Sequence, residues 1–511
     1  MPDTGGVEGQ GSAPPSQIAQ FRSDGFTGAT GLRVPFFSDA FSRAFGLPDV
    51  RLVNMISEAT PLREERPYVP FVGLREVRYS RPGLVNVSNL GSGPIRGMFN
   101  QLGQPTPQFH LVSGTTLYLN GASLATIPGS DRVRFCCSPQ QVVFCADGVA
   151  WCCNSGGGGL APVAGLPGPV ADVAYLADRF AYVIEGSNTW WYSELDDATS
   201  VLGLDFATNE DSPAATLAVG VLSDQLVFFG EDTVEFWSPG SDPTAPYAPS
   251  EGRGFQRGCA ARDTVCFADN ALFWLSQNGV VYRVGNTPGR ISSSSIEDKI
   301  RQCANIAACN AFVVTFEGHE FYVLNVPGVG TYAYDISRIG TVESAYGDSY
   351  SRGEWNEWRS FGYPQFRGQV GTMIGGVAYV GDSVTGNLFT MQVGVWSDDG
   401  GPLTRQASAF IKIEEGRPRM DGLVLHCVTG KGNASGAGAA PVVEMRYSDD
   451  MGGTFSRWRA ASLGAQGVYP RVCWQRLGLM KAPGRLIEVR CSDPVDVAFS
   501  HLELNPLRPA N

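Results

Sequence analysis

Thr264-Val265-Cys266-Phe267, a turn at Asp269-Asn270, Leu272-Phe273-Trp274-Leu275, a turn at Gln277-Asn278-Gly279, and Val280-Val281-Tyr282-Arg283-Val284 make one short unit. Its three runs are β-branched and aromatic, residue types that suit a pleated, half-buried surface. Asn278-Gly279 predicts a tight hairpin, because the favoured two-residue turn needs positive φ at both central residues. The unit therefore reads as antiparallel sheet. If it repeats, it decides the architecture.

It does repeat. Val142–Cys145 with Asp147-Gly148 and Val149–Trp151 is one copy, and Val173–Leu176 with Asp178, Phe180–Ile184 and Thr189–Tyr192 is another. Further copies run from Val219 to Trp237 and from Phe312 to Tyr334, with weaker ones around Ser113-Gly114 and Gly375-Gly376. Anchored on Ser113, Asp147, Asp178, Asp224, Asp269, Glu317 and Gly375, the steps are 34, 31, 46, 45, 48 and 58 residues. A four-stranded propeller blade needs roughly 40–50 residues. The reading is an all-β chain with a β-propeller of six or seven blades. Ordinary hairpins in one or two β-sandwiches are the alternative.

Around this body we expect a flexible arm over residues 1–30, rich in Gly, Ser, Pro and Gln, too apolar-poor to order itself. Residues 31–80 read as an extended lead-in packing on the propeller, which spans residues 81–395. After Met391 the texture changes to alternating strands such as Glu444–Tyr447 and Ile487–Arg490, predicting a C-terminal β-sandwich over residues 396–511.

Composition narrows the function. Across 511 residues, 63 Gly and 33 Pro fit a turn-rich β protein. No apolar run reaches the ~18 residues of a membrane helix, and no signal-peptide pattern opens the chain, so we expect a soluble protein without a membrane anchor. The formal net charge of −12 excludes a generally basic, sequence-independent DNA binder. Arg63, Arg66, Arg75, Arg78 and Arg81 form a modest cluster, read as solvated or interface arginines. The cysteines Cys136-Cys137, Cys145 and Cys152-Cys153 are expected as buried thiols, because strand neighbours point to opposite faces and no C-x-x-C occurs. No metal and no cofactor is expected.

Catalytic patterns are absent from the sequence. There is no G-x-S-x-G, no phosphate-binding G-x-x-x-x-G-K-[ST], and no H-x-x-x-H. His110 and His426 sit in apolar runs and read as satisfied core histidines. Ser448-x-Asp450-x-Gly452-x-Thr454-Phe455 fits the Asp-box turn of sialidases and related propellers, where the aspartate bonds backbone amides in a structural role. A single box, outside the repeats, argues against a glycan hydrolase. We expect no enzyme.

Gln256-Arg257-Gly258-Cys259-Ala260-Ala261, then Phe273–Arg283, then Arg290-Ile291-Ser292 to Ile296-Glu297 resemble the packaged-DNA stabilization proteins, or tail hubs (nozzles), of short-tailed bacteriophages. Pro82-Gly83-Leu84, Gly93–Met98, Val234–Trp237, Tyr447–Asp450 to Trp458, and Leu477-Gly478 extend the likeness over residues 50 to 505. The resemblance implies a virion tail component, assembled in the host cytoplasm. It implies a homo-hexameric ring below the portal and adaptor that closes the channel on packaged double-stranded DNA and conducts it during ejection. It also implies contacts with a tail needle or tail tip and with tailspikes. Six copies would carry about −72 charges, so an acidic channel that lets DNA slide is expected, with the Arg63–Arg81 region facing a neighbour. The competing readings are a carbohydrate-binding or sialidase-like propeller acting as a receptor-binding tail protein, and an unrelated cytoplasmic scaffold.

Overall fold

The computed structural model describes residues 19–21, 32–36, 39–42, 47–60, 75–104, 106–242, 244–250, 252–285, 287–343, 349–413 and 416–504. Seven sheets follow one another around an axis. Blades 1 to 5 are four-stranded meanders over residues 95–126, 134–162, 170–208, 216–249 and 266–290. Blade 6 covers residues 310–358. Blade 7 joins residues 368–392 to Gly83–Asn89, a strand from the start of the propeller that pairs antiparallel with Asn387–Gln392. The first strand of each blade neighbours the first strand of the next, from Ile95–Gln101 round to Gly368–Ile374 and back. The ring is thus closed by a strand contributed from its other end.

Blades are stacked by their side chains. In the opening stretch, Phe273 and Leu275 pack toward blade 6 beside Tyr322 and Tyr334, while Leu272 and Trp274 pack toward blade 4 beside Phe229 and Phe236. Period-two alternation in a strand covered on both faces gives a near-continuous apolar run, which is why the sequence signal is strong here. Each of the seven junctions holds its own apolar cluster, such as Trp190, Phe228, Trp237 and Tyr247 between blades 3 and 4. Burying one such aromatic is worth about 1.5–3 kcal/mol. Blades approach closely at their inner strands. A Cβ on Gly97 would lie 2.4 Å from the Val133 carbonyl oxygen, and one on Gly371 would lie 2.5 Å from the Phe312 ring.

All seven anchor turns fall in separate blades, but not at one place in the blade. Asp178, Asp224, Asp269, Glu317 and Gly375 turn between the first and second strands, whereas Ser113 and Asp147 turn between the second and third. That slip shortens the 31-residue step. The two-residue turn of the opening unit is Asp269-Asn270, with φ of 45° and 51°. At Gln277-Asn278-Gly279 only Gly279 has positive φ, and Ser276 donates to the Val280 carbonyl across a wider loop.

Two further sheets form a sandwich. One contains Leu47–Val53, Arg405–Ile413, Gly484–Cys491, Val442–Ser448 and Arg459–Ser462. The other contains Cys473–Leu479, Arg419–Cys427, Ala498–Leu504, Arg75–Ser80 and Met55–Thr60. Val34, Phe36, Leu52 and Met55 share its core with Ile411, Leu425, Val489 and Phe499. The described strands of the expected lead-in, residues 31–80, complete the sandwich, and they also touch the propeller through Arg51 on Glu357, Ser57 on Glu354 and Asp49 on Lys299. Their partners lie hundreds of residues away, so no local pattern announces them. Of the arm expected over residues 1–30, only Ala19–Phe21 is described, running parallel to Ile411–Ile413. The propeller is thus inserted between strands of one sandwich.

His110 is buried on Gln108–Ser113, and neither ring nitrogen has a hydrogen-bond partner. It is a core histidine, but not a satisfied one. Burial pushes its pKa down to about 4. The folded state therefore resists a proton that the unfolded chain takes up near pH 6.5, so stability falls as pH drops from 6.5 toward 4. We expect a loss of about 3 kcal/mol from this residue between pH 7.5 and pH 4. Urea unfolding of the His110→Phe variant should lack that share of the acid sensitivity. An unchanged pH dependence would refute the assignment.

Candidate functional site

Polar side chains cross the propeller axis and tie the blades together. Arg134, on the inner strand of blade 2, donates from Nε to Asp172 Oδ1 of blade 3 at 2.9 Å. Its Nη1 reaches the carbonyls of Arg262 and Val265, at the entry to blade 5, at 3.0 and 3.3 Å. Asp172 accepts from the Val219 amide of blade 4 at 3.0 Å. Arg262 returns a bond to the Ala171 carbonyl at 2.8 Å, pairs with Asp263 and sits 3.9 Å from Asp131. Arg132 donates to Asn310 of blade 6 and to the Gln369 carbonyl of blade 7, and Gln369 Nε2 donates to the Ile95 carbonyl of blade 1 at 2.7 Å. Arg96 of blade 1 holds Asp131 at 2.7 Å.

The charge balance inside this network is uneven. Burial lowers Arg134, but Asp172 and Asp263 more than offset it and leave its pKa raised. Burial raises the Asp172 carboxyl, opposed by Arg134 and the Val219 amide. Arg132 has no carboxylate within ion-pair distance among the described residues, and burial pushes it down to about 10. The propeller's own shaft is therefore occupied by interlocked arginines. These bonds fasten blades 2, 3, 5, 6 and 7 to one another.

A second polar cluster clamps the crossing between propeller and sandwich. Arg81, where the chain enters the propeller, is 0% exposed and grips Asp398, where the chain leaves it, with contacts of 2.5 and 3.1 Å. Its Nε donates to Asn54 Oδ1 at 2.9 Å, its Nη2 to the Arg359 carbonyl, and its guanidinium lies over the Phe366 ring at 4.9 Å. Asn54, with φ of 53°, donates to the Arg359 and Thr404 carbonyls. Nearby, Arg51 and Arg359 flank buried Glu357.

The residues singled out in the sequence fall as follows. Arg63 and Arg66 lie outside the described residues. Arg78 and Arg81 are not solvated: Arg78 donates to the Phe36 carbonyl and lies 3.8 Å from Glu354, and Arg81 is the clamp just described. In the Asp-box stretch, Ser448 Oγ donates to Asp450 Oδ1 at 2.6 Å, the Thr454 amide donates to Oδ1 at 2.7 Å and the Thr454 hydroxyl to Oδ2 at 2.6 Å. The Gly452 amide donates to Ser448 Oγ at 2.9 Å, and Phe455 lies beneath Arg446 at 3.9 Å. These bonds hold the Asp450 carboxyl down at about 2, so it is consumed by the turn. Cys145, Cys152 and Cys153 are buried and Cys136 and Cys137 half-buried. None is disulfide-bonded, and burial pushes the Cys153 thiol up to about 11. No group of three metal-ligating side chains occurs among the described residues. His426, expected in the core, is instead exposed, stacked on His501 at 4.3 Å and 2.6 Å from Glu503. No described helix is long and apolar enough to cross a membrane.

Charge is also segregated along the chain. Residues 81–395 hold 16 Lys/Arg against 29 Asp/Glu, while residues 396–511 hold 14 against 12. Between residues 170 and 250, blades 3 and 4 carry 14 carboxylates and one base, Arg179.

Residues 52–393 match the family model of the bacteriophage P22 Gp10 β-propeller. A relative, the tail hub protein gp10 of Salmonella phage P22, is 27% identical over 174 residues, covering 31% of this chain and 36% of the relative. The alignment thus spans about a third of that protein. Among solved structures, the computationally designed Ika8 protein has a TM-score of 0.37 at 11% identity, covering 61% of this chain and 100% of its own. The N-terminal domain of Nup159 has a TM-score of 0.37 at 10% identity, covering 63% and 97%.

Proposed function

Because this chain belongs to the family of the bacteriophage P22 Gp10 β-propeller, we propose that it is a structural tail hub of a phage virion. In this reading six copies form a ring below the portal and adaptor. The ring closes the channel on packaged DNA, carries a tail needle or tip and the tailspikes, and later conducts the genome.

The observation that carries the proposal is the family match across the whole propeller. The geometry supports a scaffold. Every blade is engaged in a closed ring, the Asp-box carboxylate is held by its own turn, and the axial arginines bond across the centre of the ring. DNA would therefore pass between copies, and a hub must be an assembly. Propellers suit this role because rigid blades present variable loops to partners.

The test is a mass measurement of the purified full chain with and without the adaptor of its phage. We expect a six-copy ring that forms on the adaptor. A chain that stays monomeric with every tail protein offered would overturn the reading.

A further inference from the structure

The third blade carries an unpartnered apolar patch on its outer edge. Leu195, Leu202, Leu204 and Phe206 are 59%, 53%, 85% and 45% exposed, all within the turn and strand that end the blade. Phe206 rests on Trp191 with ring centroids 5.3 Å apart. Glu194, Asp196 and Asp197 adjoin Leu195 in sequence, within the most acidic part of the chain. Scattered exposed leucines need no explanation, but several together, beside like charge, mark an interaction surface.

A patch of opposite character lies on the sandwich. Cys473–Leu479 is the edge strand of its sheet. Beside it Val468, Tyr469 and Leu479 are 56%, 76% and 47% exposed. Arg471, Arg476 and Lys481, on or next to this strand, and Arg457 are all exposed. No carboxylate of the described residues pairs with any of the four.

The two patches belong to separate parts of the fold. The sandwich joins the propeller at blades 6 and 7, through Glu357 beside Val53 and through Asp398 beside Leu84. Blade 3 is three blades from either, on the opposite side of a seven-membered ring. One copy therefore cannot bring them together. We propose that the acidic, leucine-bearing rim of blade 3 docks on the basic, tyrosine-bearing edge of the sandwich of a second copy. This rests on the ring reading above and names its interface. Two different surfaces meeting head to tail make a heterologous contact, which closes into a ring when the rotation allows. Opposite charge sets register and suppresses wrong partners, while the apolar centres supply contact area.

The full chain with its adaptor tests this. Cys473 is exposed in the basic patch. A Leu204→Cys variant treated with a short bismaleimide should give products of two and more copies, abolished by adding Cys473→Ser. Reversing one face, with Arg471→Glu and Lys481→Glu, should lower the ring fraction about tenfold. Reversing the other as well, with Glu194→Lys and Asp196→Lys, should restore it. Circular dichroism of each variant must match the parent. Normal rings without cross-link or charge effect would overturn the docking assignment and leave the ring reading standing. A product of one chain with one adaptor would assign the rim to the adaptor and overturn it too. Absence of any ring from the parent chain would overturn both.

Discussion

Replacing Arg81 by Met is expected to cost about 3–5 kcal/mol, the usual result of removing one partner from a buried ion pair. The residue has no exposed surface, and its loss strands Asp398, which is 5% exposed, with only the Leu84 amide and the Ser360 hydroxyl as further donors. Asn54 and the Arg359 carbonyl lose a donor at the same moment. The double variant Arg81→Met with Asp398→Leu should recover much of the loss, because an apolar pair needs no desolvation. Urea unfolding followed by near-ultraviolet circular dichroism reads the shift. A single variant within 1 kcal/mol of the parent would show that the clamp is ornamental.

The second large effect is expected at Asp172. An Asp172→Ala change removes the anion opposite Arg134 and leaves the Val219 and Val173 amides without an acceptor. Arg134 then keeps only Asp263 as a nearby carboxylate, and a loss of about 3–5 kcal/mol follows from breaking the pair with buried Asp172. Three blades meet on this carboxylate, so the damage should spread beyond blade 3. Hydrogen exchange should quicken at Val219 in blade 4 as well as at Val173. Protection lost only at Val173 would mean the axial network does not couple the blades.

The blade pattern was legible because each unit is local: strand, turn and strand fall within a few tens of residues. Where a blade departs from the common spacing, as at Ser113 and Asp147, the anchor slips by one strand while the repeat survives. The long-range pairs were not legible. Val53 lies beside Glu357, and Arg81 meets Asp398 across 317 residues, with no periodicity to tie them. The arginines misled for a related reason. Arg78 and Arg81 look solvated until the fold supplies carboxylates and carbonyls from distant strands. His426 misled differently: Leu423 and Leu425 face the core, and His426 occupies the alternate, outward position on the same strand. The network of Arg132, Arg134 and Asp172 left only Asp131-Arg132-Val133-Arg134 as a trace, charges placed where an inner strand begins. The charge gradient between propeller and sandwich was readable from counts alone, once the boundary between them was known.

The insertion of the propeller within the sandwich sets an order of events on the ribosome. Strands Leu47–Val53 and Met55–Thr60 are made early, but Arg405–Ile413 and Arg419–Cys427 follow more than 340 residues later. At about 5–20 residues per second, the early strands wait roughly 20–70 seconds for their partners. During that interval the propeller can finish and draw its two ends together, since Gly83–Asn89 must pair with Asn387–Gln392. Its closure then delivers the waiting strands to the growing ones, turning a very long loop into a short one and removing most of the entropy of joining them.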